Sequence, residues 1–370
     1  MYTMNQQILN WMDTMGIDVC FINNPANIAY LTGFSSDPHE RVLGLVLMSG
    51  KGKSFLFTPA MEIGQARRSV SGLDVFGYLD HENPWEKIGN LISTQISGSQ
   101  KWAIEKNYLT VERLELIKNN CPIDDDILDF TSVIQEMMLI KSPEEITKMK
   151  HAGLFADYAF EVGFNSIESG VSEQEIIAKI EYELKKKGVM EMSFSTLVLA
   201  GESASDPHGT PSDRKIVPNE FVLFDLGTVY DGYASDATRM AYYGTPTAEQ
   251  QKVYDLVLKA HMEALKAIKP GVEAGFLDSI ARSIITEAGY GAYFNHRLGH
   301  GIGATVHEYP SIMQNSQFII QEGMCFSIEP GIYLPGEFGI RIEDCVYVTA
   351  NGCEVLTHTP KQLHVIPIKE

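Results

Sequence analysis

From Ser142 onward the 370-residue chain repeats one order of elements twice, a helix pair and then a strand hairpin. That repetition constrains the fold more than any other feature. Ser142-Pro143-Glu144-Glu145 combines an N-cap serine, a proline at the first helical position and a glutamate at the third, which starts a helix. Ile146, Met149, Gly153, Ala156 and Phe160 then share one helical face. A second helix is expected from Ser172, with Glu175 as its capping partner, to Gly188. Strand-like stretches follow at 194–200, 220–230 and 231–244. The order then recurs: a helix from Thr247 with Gln250, a break at Pro270-Gly271, a second helix ending near Gly289, and strands at 322–330 and 340–349. Identity between the halves is weak, so the duplication is one of architecture. Stretches rich in glycine and proline (201–219, 291–317, 330–340) read as long linkers between strands, where function concentrates.

Up to about residue 130 the signals differ. Thr3 with Gln6 resembles a capping box on a helix ending at Gly16. Strands are expected at 18–22, 41–48, 54–59, 73–78 and 101–105, alternating with polar-faced stretches around 83–96 and 110–120. This predicts an α/β domain over 1–130, ahead of a domain over 131–370. A net charge of −19, from 29 basic and 48 acidic residues, opposes binding to nucleic acid or anionic membranes. The longest apolar run, 42–48, is far short of a membrane span. The N-terminus lacks the basic start and apolar core of a signal peptide. Five scattered cysteines (Cys20, Cys121, Cys325, Cys345, Cys353) suit free thiols in a reducing compartment. A cytoplasmic location is expected.

Five residues carry the chemistry: Asp225, Asp236, His300, Glu329 and Glu343. Asp231-Gly232 is a turn signal between the two aspartates, so a hairpin would bring their carboxylates together. Glu329 and Glu343 are separated comparably by the turn-rich PGIYLPGEFG. If the halves face each other, four carboxylates converge, and His300 joins them from the glycine-rich LGHGIG, where backbones can approach closely. Taken singly, Asp225 before Leu-Gly or Asp231 before Gly reads as a turn residue. Taken together they point to metal. Four bare anions cannot share a buried site, whereas two divalent cations would neutralise them. Oxygen-rich ligation with one imidazole and no thiolate favours Mn²⁺, with Zn²⁺, Co²⁺ or Fe²⁺ as alternatives. Such a pair activates water and polarises a carbonyl, as amide hydrolysis requires.

FDLGTVYDGYASDATR, NHRLGHGIGATVHEYPSI, EGMCFSIEPGIY and GIRIED resemble the dinuclear-metal Xaa-Pro peptidases of the pita-bread family, which includes creatinase and methionine aminopeptidase. The resemblance spans essentially the whole chain. It implies an α+β fold: a pita-bread catalytic domain of duplicated αα-ββ halves behind a creatinase-like α/β N-terminal domain. It makes Asp225, Asp236, His300, Glu329 and Glu343 the ligands of two divalent metal ions, with Asp236 and Glu343 bridging. The implied reaction is cleavage of the Xaa-Pro bond of dipeptides by a metal-bridging water or hydroxide, releasing proline. Removal of the first residue from longer Xaa-Pro peptides is the alternative. Glu329 would also carry the proton from water to the leaving amine. His208 and His307 match histidines that line the substrate site and stabilise the oxyanion.

A dipeptidase must hold the free carboxylate of its proline, which a guanidinium does bidentately. Arg297 is the first candidate. Arg341, two residues before Glu343 and on the same strand face by alternation, is expected mainly to hold the metal carboxylates; a surface ion pair is the plainer reading of either arginine. Asp37, His39, Glu40 and Arg41 form a charged cluster that is solvated surface on its own terms. By resemblance, this loop reaches over the partner subunit's site in a homodimer, so Asp37, His39 and Arg41 would contact substrate and limit its length. Met240 and Ala304-Thr305 depart from the family pattern at positions that are not ligands. Cys325 and Cys345 are expected to be small core residues.

Overall fold

The computed structural model describes residues 2–50 and 52–368, which form two compact units, Met1–Met137 and Met138–Glu370. The side chain of Thr3, the expected first cap, lies outside the described residues.

The first unit holds helices α1 (Tyr2–Met15), α2 (Pro25–Thr32), α3 (Ile63–Ser69), α4 (Pro84–Ser93), α5 (Val111–Asn120) and most of α6 (Thr131–Leu139). Its strands are β1 (Val19–Ile22), β2 (Gly44–Met48), β3 (Phe55–Pro59), β4 (Asp74–Tyr78), β5 (Trp102–Ile104) and β6 (Leu128–Asp129), in the sheet order β4-β3-β2-β1-β5-β6. The sheet is mixed: β1 runs antiparallel to β2 and parallel to β5. All five expected strands form. The unit extends past residue 130 because the chain is tied back to it on both sides of the α6 start, by the Trp11–Phe130 ring pair just before the helix and by a hydrogen bond from the Tyr30 hydroxyl to the Met137 carbonyl within it.

The second unit opens with α7 (Pro143–Phe164) and α8 (Glu173–Lys186), and its second helix pair is α9 (Ala248–Ala267) and α10 (Ala274–Glu287). Three of the four start with full capping boxes, Ser142/Glu145, Ser172/Glu175 and Thr247/Gln250. The cap and the third residue each satisfy an otherwise unpaired N–H. Between the pairs lie β7 (Leu197–Ala200), β8 (Glu220–Leu226), the short hairpin β9 (Val229–Tyr230) and β10 (Tyr233–Ala234), and β11 (Ala237–Tyr243). After them come β12 (Gly299–Gly301), β13 (Glu308–Ile312), β14 (Cys325–Ile328), the hairpin β15 (Gly331–Leu334) and β16 (Phe338–Arg341), β17 (Glu343–Thr349), β18 (Gly352–Val355) and β19 (His364–Ile366).

One sheet runs β13-β12-β14-β17-β11-β8-β7, with β18 on β17 and β19 on β11. It is buried on both faces. Phe221, Leu223, Met240 and Tyr242 pack with Val253, Val257 and Leu277 of α9 and α10. Val222, Phe224, Leu226 and Ala241 pack with Phe160, Ile176 and Ile180 of α7 and α8. Double-sided burial accounts for the near-continuous apolar run of β8.

Two of the three expected linkers contain strands. The stretch 291–317 supplies β12 and β13, and 330–340 supplies the β15–β16 hairpin. Their glycines hid them. A Cβ at Gly299 would sit 1.9 Å from the Ser327 carbonyl oxygen, and one at Gly301 would sit 2.4 Å from that of Tyr309. These strands therefore need residues that carry no apolar signal. Arg341 closes β16 and Glu343 opens β17, so the two occupy separate strands rather than one, with the chain passing from hairpin to sheet at Ile342.

Candidate metal centre

Antiparallel pairing of β8 with β11 sets Thr238 opposite Asp225, and pairing of β11 with β17 sets Thr238 opposite Glu343. Asp225, Asp236 and Glu343 therefore come together at neighbouring strands. The turn that allows this uses Asp231 (φ 47°) and Gly232 (φ 80°), a left-handed pair suited to a tight hairpin. His300 enters on β12 and Glu329 follows β14. The His300 Nε2 lies 3.5 Å from an Asp236 oxygen and 3.3 Å from a Glu329 oxygen. One ligand atom each from Asp236, His300 and Glu343 falls within a 4.8 Å cluster.

Neighbouring groups orient these ligands. The Ser327 hydroxyl donates to Glu329 (3.0 Å) and accepts from the His300 amide (3.0 Å). The Thr238 hydroxyl donates to Glu343 Oε2 (2.7 Å) and accepts from Arg341 Nε (3.0 Å). Arg341 also donates to Asp225 and to the Tyr333 hydroxyl. Behind Glu343, the buried Arg239 donates to the Glu343 carbonyl (2.6 Å) and pairs with Asp344, which His261 and Lys361 also contact. Thr238, Ser327, Tyr333 and Arg239 were missed in the sequence. Only period-two spacing from Asp236 and Glu329 could have pointed to Thr238 and Ser327.

Three carboxylate oxygens, Asp225 Oδ1, Asp236 Oδ1 and Glu343 Oε1, are buried with no hydrogen-bond partner among the described residues. Burial, reinforced by the neighbouring carboxylates, pushes the carboxyl groups of Asp236 and Glu343 well up. Burial raises that of Glu329 to about 7 and drives His300 down to about 3. Orphaned oxygens beside a neutral imidazole suit divalent cations, which supply the charge and the bonds the site lacks. The donor set fits the expected metal pair.

Around this centre, the exposed His307 stacks edge-on against His300 at 4.2 Å between ring centroids. Burial of its ring and the charge of Arg297 lower its pKa, and His208 acts on it in the same direction. His208 is itself exposed. Arg297 donates to the Ser311 hydroxyl at 2.9 Å. His296, unremarked in the sequence, is lowered to about 4 by burial and lies 3.3 Å from the Tyr333 hydroxyl. Thr305 donates to Glu308 and to the His307 carbonyl, shaping the turn before β13. Met240, Cys325 and Cys345 are buried among apolar side chains. In the first unit, Asp37 and His39 are exposed and 3.5 Å apart, and Arg41 forms a two-pronged contact with Asp80.

The model of metallopeptidase family M24 matches residues 147–350, and that of the creatinase/prolidase N-terminal domain matches residues 5–140. The chain belongs to metallopeptidase family M24. As an M24 enzyme it has the pita-bread fold its motifs resemble. It is 48% identical to a Xaa-Pro dipeptidase of Lactobacillus helveticus over 365 residues, 98% of this chain and 99% of that protein. Among solved structures, the prolidase of Pyrococcus horikoshii OT3 matches with TM-score 0.89 and 34% identity, over 97% of this chain and 99% of that one. An X-Pro aminopeptidase of Thermotoga maritima matches this M24 chain with TM-score 0.84 and 31% identity, over 95% and 98% respectively.

Proposed function

We propose that this M24 enzyme cleaves the Xaa-Pro bond of dipeptides and releases free proline, using two divalent metal ions held by Asp225, Asp236, His300, Glu329 and Glu343. The observation that carries the proposal is the buried cluster of Asp236, His300 and Glu343, with Glu329 and Asp225 beside it and three carboxylate oxygens that lack a hydrogen-bond partner among the described residues. The metals, when bound, supply Lewis acidity that lowers the pKa of water and polarises the scissile carbonyl. Glu329 takes a proton from the attacking water and returns it to the proline nitrogen as the C–N bond breaks. A carboxylate at this position is within reach of both the attacking water and the leaving nitrogen. His307, held neutral near pH 7, and His208 donate N–H groups to the oxyanion. Arg341 holds Asp225 and, through Thr238, Glu343.

In this reading Arg297 binds the proline carboxylate. The enzyme is a homodimer in the cytoplasm with Mn²⁺ as its metal, and the loop bearing Asp37, His39 and Arg41 limits peptide length at the partner's site. Support comes from the donor chemistry and from the relatives. No helix among the described residues is long and apolar enough to cross a membrane. The similarity to an X-Pro aminopeptidase favours one second reading, removal of the first residue from longer Xaa-Pro peptides. Stripping the enzyme with chelator, restoring Mn²⁺ and comparing Leu-Pro with Leu-Pro-Ala decides between them. Metal-dependent cleavage of the dipeptide alone supports the proposal, and cleavage of the tripeptide supports the second reading. Full activity in metal-free buffer would refute both.

A further inference from the structure

We infer that Glu173, at the start of α8, is a positioning residue that fixes His208 by holding both stems of the loop that carries it. The inference rests on the reading of His208 as a substrate-contacting group. The loop spans 201–211, has no strand, and contains only a short 3-10 turn at Gly201–Ser205. His208 lies near its apex, and its ring makes no hydrogen bond among the described residues, so its placement depends on the loop backbone. That backbone is tightly wound: Asp206 accepts from the His208 amide at 3.1 Å, and a Cβ at Gly209 would sit 2.8 Å from the Ser203 carbonyl oxygen.

Glu173 is fully buried, and Arg214 is the neighbouring cation whose charge it feels. Its Oε1 accepts from the Ala200 amide (2.8 Å) at the entry to the loop. Its Oε2 accepts from the Ser212 amide (2.8 Å) and hydroxyl (3.1 Å) at the exit. Gln174 adds a bond to the Pro211 carbonyl (2.9 Å), and the Glu173 amide donates to Arg214. A buried carboxylate is costly unless its hydrogen-bond partners are donors. Here all three are, and they come from the two ends of one loop. Only a carboxylate can accept at both oxygens; glutamine would turn an N–H₂ toward one stem's donor. The first turn of the loop is anchored independently by Ala204 in the apolar core, whereas the segment from Asp206 to Pro211 that carries His208 is held where Glu173 and Gln174 reach its stem.

The test uses the full, Mn²⁺-loaded enzyme with Leu-Pro. Glu173→Gln should lower kcat between about 10-fold and about 100-fold, the scale of a small misplacement of a reacting group. Metal content should be unchanged, and amide exchange over 201–212 should accelerate. In a His208→Ala background, Glu173→Gln should cost nothing further. Should Glu173→Gln fail to fold, Ser212→Ala removes a single donor and should show a smaller fall with the same non-additivity. Full additivity with His208→Ala, or wild-type exchange and kcat in Glu173→Gln while His208→Ala is impaired, overturns the inference. Wild-type kcat in His208→Ala overturns the reading of His208, and the inference with it. Wild-type enzyme silent on Leu-Pro overturns the proposed substrate, and the exchange data then decide whether Glu173 pins the loop.

Discussion

Thr238→Val is the most informative single perturbation of this metal centre. Valine keeps the shape of threonine in a fully buried site, so the change isolates one hydroxyl. That hydroxyl gives its proton to Glu343 Oε2 at 2.7 Å and receives the Arg341 Nε–H at 3.0 Å. Removing it leaves one buried anion and one buried cation each short of a bond. At about 1.5 kcal/mol or more for each charged partner, the combined cost is about 3 kcal/mol. Part of this appears as lower stability. The rest appears at the metals, because a carboxylate released from its hydrogen bond no longer presents a fixed oxygen. Loss of such an orienting partner weakens metal binding by about 10- to 100-fold, equivalent to about 1.4–2.8 kcal/mol. Titration of Mn²⁺ into chelator-stripped protein by calorimetry measures this directly. Thr238→Ser, which keeps the hydroxyl, should bind nearly as the wild type does. Wild-type Mn²⁺ affinity in Thr238→Val would refute the claim that this hydroxyl orients Glu343.

Three further outcomes are expected. Lys141 and Glu308 form an ion pair at 2.8 Å with side chains only 2% and 5% exposed, so Lys141→Met should destabilise the protein by about 3–5 kcal/mol. Lys141→Met with Glu308→Leu should recover most of that loss in a denaturant melt; equal loss in both would contradict the pairing argument. His296 has a folded pKa depressed from 6.5 to about 4, so its stabilising contribution is complete above about pH 6.5 and is lost as pH falls toward 4. In metal-free protein His296→Gln should therefore reduce the stability lost between pH 7 and pH 5 by up to about 2 kcal/mol, and an unchanged pH profile would sink that assignment. Arg297→Ala should raise KM for Leu-Pro by about 10- to 100-fold through loss of a charge-assisted contact while leaving metal content intact. An unchanged KM would remove Arg297 from the carboxylate site.

The helix starts of the second unit were legible because a capping box is closed within three residues: Ser142 with Glu145, Ser172 with Glu175, and Thr247 with Gln250. The motifs around the five candidate ligands carried the resemblance that implied the pita-bread fold, and the ligands themselves were legible for a related reason. Acidic residues in otherwise apolar strands have no structural use unless something neutralises them, and turn signals such as Asp231-Gly232 show where strands reverse. The glycine strands were not legible, because Gly299 and Gly301 are chosen for the backbone that presses on them, and that backbone lies elsewhere in the chain. The orienting groups were hidden by the same cause. Thr238 reaches Glu343 across 105 residues and Arg341 reaches Asp225 across 116. The sequence by itself determined which residues are chemically fit to hold metal. The tertiary structure alone decided which of their oxygens stay unpaired and which neighbours aim them, since hydrogen bonds between distant strands depend on register, and register is set by the packing of the whole sheet.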